Sequence, residues 1–337
     1  MLTRAARHGL ELTELGLGVA QFGNLFRETS DEEAASAVDS AWRAGIRYFD
    51  TAPHYGLGLS ERRLGALLRD YPRDEFVVSS KVGRLLVPND DDTGAMDDEG
   101  FAVPATQKRV WDFSRDGILR SVEDSLTRTG LDHFDILYLH DPDDHLEQAT
   151  TEGIGALIEL REQGMVKAVG AGMKHTAPLA TLIRRADVDL IMLAGRYTLL
   201  EQGALGELLP LAVEKNVGVV VAGVYNSGLL SSPGVSPDAK YEYEDAPQAL
   251  VDRANLIASV CESHGVSLPE AAIAYPLMHP AVVSVVVGSR NAAQVDSNVR
   301  RYRAQIPPEL WTDLAEARLI PENHVTTHIR PLPTPSA

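Results

Sequence analysis

Tyr48-Phe49-Asp50-Thr51-Ala52-Pro53-His54-Tyr55-Gly56 decides the reading of this chain. It is a short strand, 48–51, with Asp50 at its C-terminal end and Tyr55 just past it. Two other runs end in the same manner. Phe76-Val77-Val78-Ser79-Ser80-Lys81 closes on Lys81, and Ile136-Leu137-Tyr138-Leu139-His140 closes on His140. In a barrel of parallel strands the C-terminal strand ends converge on one mouth, where chemistry is done. A carboxylate, a phenol, an ammonium and an imidazole gathered there form a proton-transfer set. Tyrosine alone is a poor base, with an ordinary pKa of about 10. A neighbouring ammonium favours the phenolate, and a carboxylate holds the ammonium in place.

Outward from these strand ends, short apolar runs alternate with amphipathic segments. The predicted strands are 15–19, 48–51, 76–81, 135–140, 168–172, 190–194, 217–223 and 282–288. They are rich in Val, Ile and Leu, and several lack polar alternation, as strands buried on both faces of a parallel sheet do. The predicted helices are 30–44, 59–69, 114–128, 151–163, 178–186, 205–215, 246–264 and 292–303. The first opens on Ser-Asp-Glu-Glu, an N-terminal cap with acids in the first turn. About eight βα units close a (β/α)8 TIM barrel, a single α/β domain over residues 1–325 followed by a flexible, proline-rich tail at 326–337. An open doubly wound sheet is the rival. Gly16-Leu17-Gly18-Val19-Ala20-Gln21-Phe22-Gly23 superficially offers its phosphate turn, but the acid such a fold needs on a following strand would be Asp50, which fits the four-residue set better. Two stretches break the rhythm. Residues 87–109, rich in acids, follow Lys81 and would hang over the mouth as a lid, and 231–247 form a second long loop.

The formal net charge of −17 excludes a nucleic-acid binder, which needs a basic face. No uninterrupted apolar stretch is long enough to span a bilayer, so no membrane partner is expected. Cys261 is the single cysteine, which rules out an intrachain disulfide and suits a reducing compartment. The N-terminal residues show no apolar signal core. The expectation is a cytoplasmic protein, with a homo-oligomer left open.

Asp50-Thr51-Ala52-Pro53-His54-Tyr55-Gly56 with Ser60-Glu61-Arg62-Arg63-Leu64-Gly65, followed in order by Lys81 and His140, resembles the signature of the aldo-keto reductases, over roughly residues 12–305. The resemblance implies a nicotinamide dinucleotide cofactor and a catalytic set of Asp50, Tyr55, Lys81 and His140. Tyr55 would exchange the proton, Lys81 paired to Asp50 would depress its pKa, and neutral His140 would orient the substrate oxygen. Such fixed groups stabilise the charge that develops on that oxygen. Trp111-Asp112-Phe113-Ser114-Arg115-Asp116-Gly117, His140-Asp141-Pro142-Asp143-Asp144-His145, 194–200 and 225–230 resemble the aldose 1-dehydrogenase branch, which includes L-fucose and D-threo-aldose dehydrogenases and pyridoxal 4-dehydrogenase. That branch oxidises a ring hemiacetal to a lactone, so a sugar or pyridoxal is the implied small-molecule substrate. A general aldehyde reductase is the further alternative.

The same resemblance places the cofactor. Gly288, Ser289, Arg290, Gln294 and Asn298 match the adenosine and phosphate segment, where a helix N-terminus offers free N–H groups to anions. Asn226, Ser227, Gly228 and Leu229 form a turn that would give backbone donors to the pyrophosphate. Many relatives hold the carboxamide with Ser-Asn and a glutamine; here Gly172-Met173 and Met192 stand in those places, a nearby asparagine is Arg196, and the stacking tyrosine is Ala222. Backbone near Gly172, with Arg196, would substitute. Gly288 and Gln294 stand where NADP-dependent relatives often carry cations, which points to NAD, with NADP kept open by Arg290. Gln21, Phe22, His54, Trp111 and Tyr225 fall in loops that would face the substrate.

Two other classes compete. His140, Asp141, Asp143, Asp144 and His145 suggest a metal-dependent barrel hydrolase, but metal sites need ligands from several strands and no early His-x-His is present. A cofactor-sensing module without turnover would have no use for all four groups of the set.

Overall fold

The computed structural model describes residues 1–90, 94–236, 239–242 and 244–322; the expected tail at 326–337 lies outside them. Eight parallel strands close into a barrel: β1 (Leu15–Gly18), β2 (Tyr48–Asp50), β3 (Val77–Val82), β4 (Ile136–His140), β5 (Ala168–Met173), β6 (Leu190–Ala194), β7 (Gly218–Ala222) and β8 (Val282–Gly288). They neighbour one another in chain order, and β8 returns to β1 with Gly288 opposite Gly18. Each strand agrees with its expected position to within a residue or two.

The period of two along each strand divides the core. On β4, Ile136 and Tyr138 join Tyr48, Met192, Val220 and Val286, drawn from around the whole barrel, so this cluster fills its interior. Leu137 and Leu139 join the larger cluster that includes helix residues such as Ala37 and Leu64. Leu10 and Leu12 belong to the interior cluster. They come from a short antiparallel hairpin, Thr3–Ala5 with Glu11–Thr13, that the sequence reading did not anticipate.

The helices are α1 (Asp31–Ala44), α2 (Leu59–Leu68), α3 (Arg115–Thr129), α4 (Ile154–Glu162), α5 (Thr176–Arg185), α6 (Leu208–Glu214), α7 (Gln248–Ser263), α8 (Leu268–Ala274), α9 (Ala292–Arg303) and α10 (Pro308–Glu316). Ser30 and Glu33 form a reciprocal capping box on α1, the expected start. No helix among the described residues is long and apolar enough to cross a membrane.

Two loops deliver Tyr55 to the mouth. Gly56 has φ +62, and a Cβ there would stand 2.2 Å from the Gly23 carbonyl oxygen. The close backbone approach of the loops after β1 and β2 therefore requires glycine, and it fixes where the phenol emerges. The expected lid is a hairpin at its base, Arg84–Pro88 paired with Gln107–Trp111. Its described residues turn back on the mouth, where Phe101 clusters with Leu57, Leu86 and Val103.

Candidate active site

Asp50 at the end of β2 and Lys81 near the end of β3 meet as a buried ion pair, Lys81 Nζ to Asp50 Oδ2 at 2.7 Å, with side chains only 3% and 4% exposed. Lys81 Nζ also donates to the Thr51 carbonyl at 3.0 Å and to the Tyr55 hydroxyl at 3.1 Å. Ser79 Oγ donates to the second Asp50 oxygen at 2.7 Å, and Tyr48 reaches that serine at 3.0 Å. The carboxylate is thus held from both sides and the ammonium from three. His140, at the end of β4, stands edge-on to Tyr55 with ring centroids 6.0 Å apart. The structure brings all four residues of the set together.

Burial is the dominant electrostatic influence. It raises the Tyr55 phenol above its ordinary pKa, and the pull of Lys81 opposes this without overcoming it. Lys81 thus acts in the expected direction, and removal of the phenolate from water outweighs it. Burial also works to lower the Lys81 ammonium, but Asp50 and then Tyr55 outweigh it and hold it above its ordinary value. His140 is driven well below its usual range by burial and then by Arg84, Lys81, His54 and Arg109, so its imidazole is neutral. His54 is pushed down to about 2 by burial and the same cations.

Around the set, cations and aromatic rings alternate, with Arg84 against Trp111 and Arg109 against Phe101. His54 packs 5.5 Å from His140 and 5.2 Å from Phe101. Arg84, just past β3, donates to Asp141 Oδ2 at 2.5 Å, and its guanidinium lies 5.2 Å from the Trp111 ring centre. Trp111 is 38% exposed on the hairpin. Arg109 is held by Asp97 at 2.5 and 3.0 Å. Sequence reasoning missed Arg84, Arg109 and Phe101, and it gave Asp141 no role beyond a branch motif and a candidate metal cluster. Phe22 faces inward, fully buried in the large core, so it presents nothing to a substrate.

A groove of about 700 Å³ runs along the ends of β6, β7 and β8. Arg196, Asn226, Ser227, Gly228, Gly288, Arg290, Gln294 and Asn298 line it. So do Gln21 and Tyr225, which places this pair with the expected cofactor residues rather than against the substrate wall. Gly172, Leu229 and Ser289 lie behind its surface: Gly172 is buried opposite His140, Leu229 is in the core, and Ser289 accepts from Asn298 Nδ2 at 3.0 Å.

Two arginines are already engaged. Arg290 donates to the Leu25 and Arg27 carbonyls at 2.7 and 2.9 Å and to the Thr29 hydroxyl, anchoring the loop after β1. Arg196 pairs with Glu201 at 3.1 Å and with Glu242, and donates to Tyr241 at 2.9 Å. Both residues also line the groove. Arg301, unassigned by sequence, also lines the groove and bonds Tyr225 and Asn298. Gln21 Oε1 and Asn226 Oδ1 are buried acceptors without partners. Such orphans call for a donor. With an elongated groove and the Asn291-capped N-terminus of α9 beside it, they fit a dinucleotide bearing a carboxamide. Among the described residues no group of three or more His, Cys, Asp or Glu is arranged to hold a metal ion.

A model of the Aldo/keto reductase family matches residues 14–318. The chain is 51% identical over 320 residues to a D-threo-aldose 1-dehydrogenase from a Pseudomonas sp, covering 94% of this chain and 97% of the relative. It is 39% identical over 332 residues to a pyridoxal 4-dehydrogenase from Microbacterium luteolum, covering 93% and 96%. The solved holo form of an aldo-keto reductase from Bacillus halodurans aligns with a TM-score of 0.75 at 26% identity, covering 96% of this chain and 99% of that one.

Proposed function

The chain belongs to the aldo/keto reductase family of nicotinamide-dependent oxidoreductases, and from there we propose that it oxidises the cyclic hemiacetal of an aldose to a lactone with NAD. The observation that carries this is the hydrogen-bonded chain from Asp50 through Lys81 to Tyr55, beside a neutral His140. A nicotinamide ring bound in the groove would supply hydride chemistry. Gln21 and Asn226 offer their orphaned acceptors to its carboxamide, and the turn at Asn226–Gly228 and the start of α9 serve the phosphates.

The remaining steps belong to this chain's own groups. Tyr55 and His140 meet the anomeric hydroxyl. The imidazole orients it without adding charge, and the phenolic oxygen takes its proton as hydride leaves the carbon, leaving the lactone carbonyl. Lys81, kept charged by Asp50, stabilises the phenolate that this step requires. Burial keeps the phenol protonated near neutrality, so oxidation draws on the small deprotonated fraction and gains from alkaline pH.

The 51% relative supports an aldose substrate. A second reading, pyridoxal to its lactone, is favoured by the 39% relative and by the flat surfaces of Trp111 and Phe101. NAD is favoured because the Arg290 guanidinium is occupied by loop carbonyls and Gly288 and Gln294 carry no charge, so a 2′-phosphate finds no cation at these positions. A lone buried cysteine suits the cytoplasm. Initial rates with NAD and NADP over L-fucose, D-arabinose, L-galactose and pyridoxal test the reading. Faster NAD-linked oxidation of at least one sugar is expected; turnover of pyridoxal alone would replace it.

A further inference from the structure

We infer that Arg84 and Asp141 together form a subsite that reads the hydroxyl next to the reacting carbon of an aldose; this rests on the aldose reading above. The pair is assembled from different strands. Arg84 follows β3 and Asp141 follows β4 directly after His140, yet Nη2 and Oδ2 meet at 2.5 Å.

Arg84 is built to receive something more. Its side chain is nine-tenths buried. A guanidinium carries five N–H donors. Among the described residues its one side-chain hydrogen bond is to Asp141, and its Nε is buried with no partner. A buried cation left with vacant donors is costly unless a ligand completes it. The other arginine of this wall, Arg109, is more fully engaged: Asp97 takes it with both oxygens and the His54 carbonyl accepts from it as well, which leaves only its Nε without a partner.

Asp141 has the complementary property. Its side chain is 38% exposed, and Oδ1 accepts no hydrogen bond among the described residues. Its Oδ2 stands 3.8 Å from His140 Nε2. That is too long for a hydrogen bond, so the carboxylate does not orient the imidazole. It stands beside the catalytic group. The backbone is fixed there: Asp141 has φ +40, in the left-handed region, and its N–H donates to the Gly172 carbonyl at 2.9 Å.

A sugar hydroxyl is both donor and acceptor. Asp141 Oδ1 accepts its proton, and an Arg84 N–H donates to its oxygen. The anomeric oxygen is fixed by Tyr55 and His140, so the hydroxyl one carbon away falls beside His140, where this pair lies. Pyridoxal has an aromatic ring carbon without a hydroxyl at that place. The subsite thus gives the aldose a contact that pyridoxal lacks.

The test compares an aldose with its 2-deoxy analogue in the intact enzyme, reading kcat/KM by NADH formation. The unmodified protein is expected to prefer the hydroxylated sugar by about 10- to 100-fold, the worth of a hydrogen bond to a charged group. In Asp141→Ala that ratio should fall below about threefold, with Asp141→Asn intermediate. Fluorescence titration with NADH reports separately whether each variant is folded. A ratio near one in the unmodified protein overturns the subsite while leaving the aldose reading standing, and so does a ratio unmoved by either substitution. Failure to oxidise any aldose overturns both.

Discussion

Replacing Asp50 by Asn removes one charge from a pair buried to 3% and 4% exposure without changing the shape of the side chain. Lys81 keeps the Thr51 carbonyl and the Tyr55 hydroxyl. It loses the Asp50 charge that outweighs burial, so its pKa falls and the ammonium becomes hard to maintain. Breaking one side of a buried ion pair costs about 3–5 kcal/mol. Because the Asn amide oxygen still accepts from Lys81 and its NH2 can donate to the Ser79 hydroxyl, the lower end applies, about 3 kcal/mol. At about 2.1 cal/mol/K per residue, 337 residues give an unfolding entropy near 0.7 kcal/mol/K, so Tm should fall by about 4 °C. Lys81→Met alone strands the carboxylate and should cost a similar amount. The double variant should cost about 1–3 kcal/mol less than the sum of the two, since neither buried charge is then left alone. Urea melts of the four proteins measure this cycle. Single variants within about 0.5 kcal/mol of the parent, or a double variant equal to the sum, would refute the claim that the pair is one electrostatic unit.

His54 gives a prediction in acid. Its folded pKa of about 2 lies far below the ordinary value of 6.5, so between those limits the unfolded chain binds more protons and stability rises with pH. Acidifying from pH 7 to 5 should remove about 2 kcal/mol on its account, and His54→Asn should flatten the denaturation profile by that amount. Parallel profiles for the two proteins would contradict this. The raised Tyr55 pKa predicts that kcat for oxidation climbs steadily above neutral pH, while reduction of the corresponding carbonyl does not. Stopped-flow rates across pH 6 to 10 decide it, and an oxidation rate already level at pH 7 would count against the assignment.

The barrel was legible because its strands are buried on both faces and read as apolar runs with polar ends. Asp50, Lys81 and His140 each occupy such an end. Tyr55 was legible from its spacing to Asp50. What stayed hidden is non-local. Nothing near Arg290 in the sequence shows that its guanidinium reaches carbonyls 263 and 265 residues away. Arg196 likewise meets Glu242 only through the fold. Phe22 looked like a mouth residue because it follows β1, yet its short helical turn points the ring into the core. α8 escaped because it is only seven residues long, although Ser267 and Glu270 form a capping box that the sequence displays. The lowering influence of Lys81 on Tyr55 was legible, but the burial that opposes it was not, because a sequence shows the nearby ammonium and not the depth of burial.

The central claim is that the Tyr55 phenol moves the substrate proton. Tyr55→Phe removes that one oxygen and leaves the ring between His54, Phe101 and His140. Single-turnover NADH formation is predicted to slow by about 10²–10⁴-fold, with the dinucleotide dissociation constant unchanged. A variant that turns over within a few-fold of the parent would place the proton elsewhere.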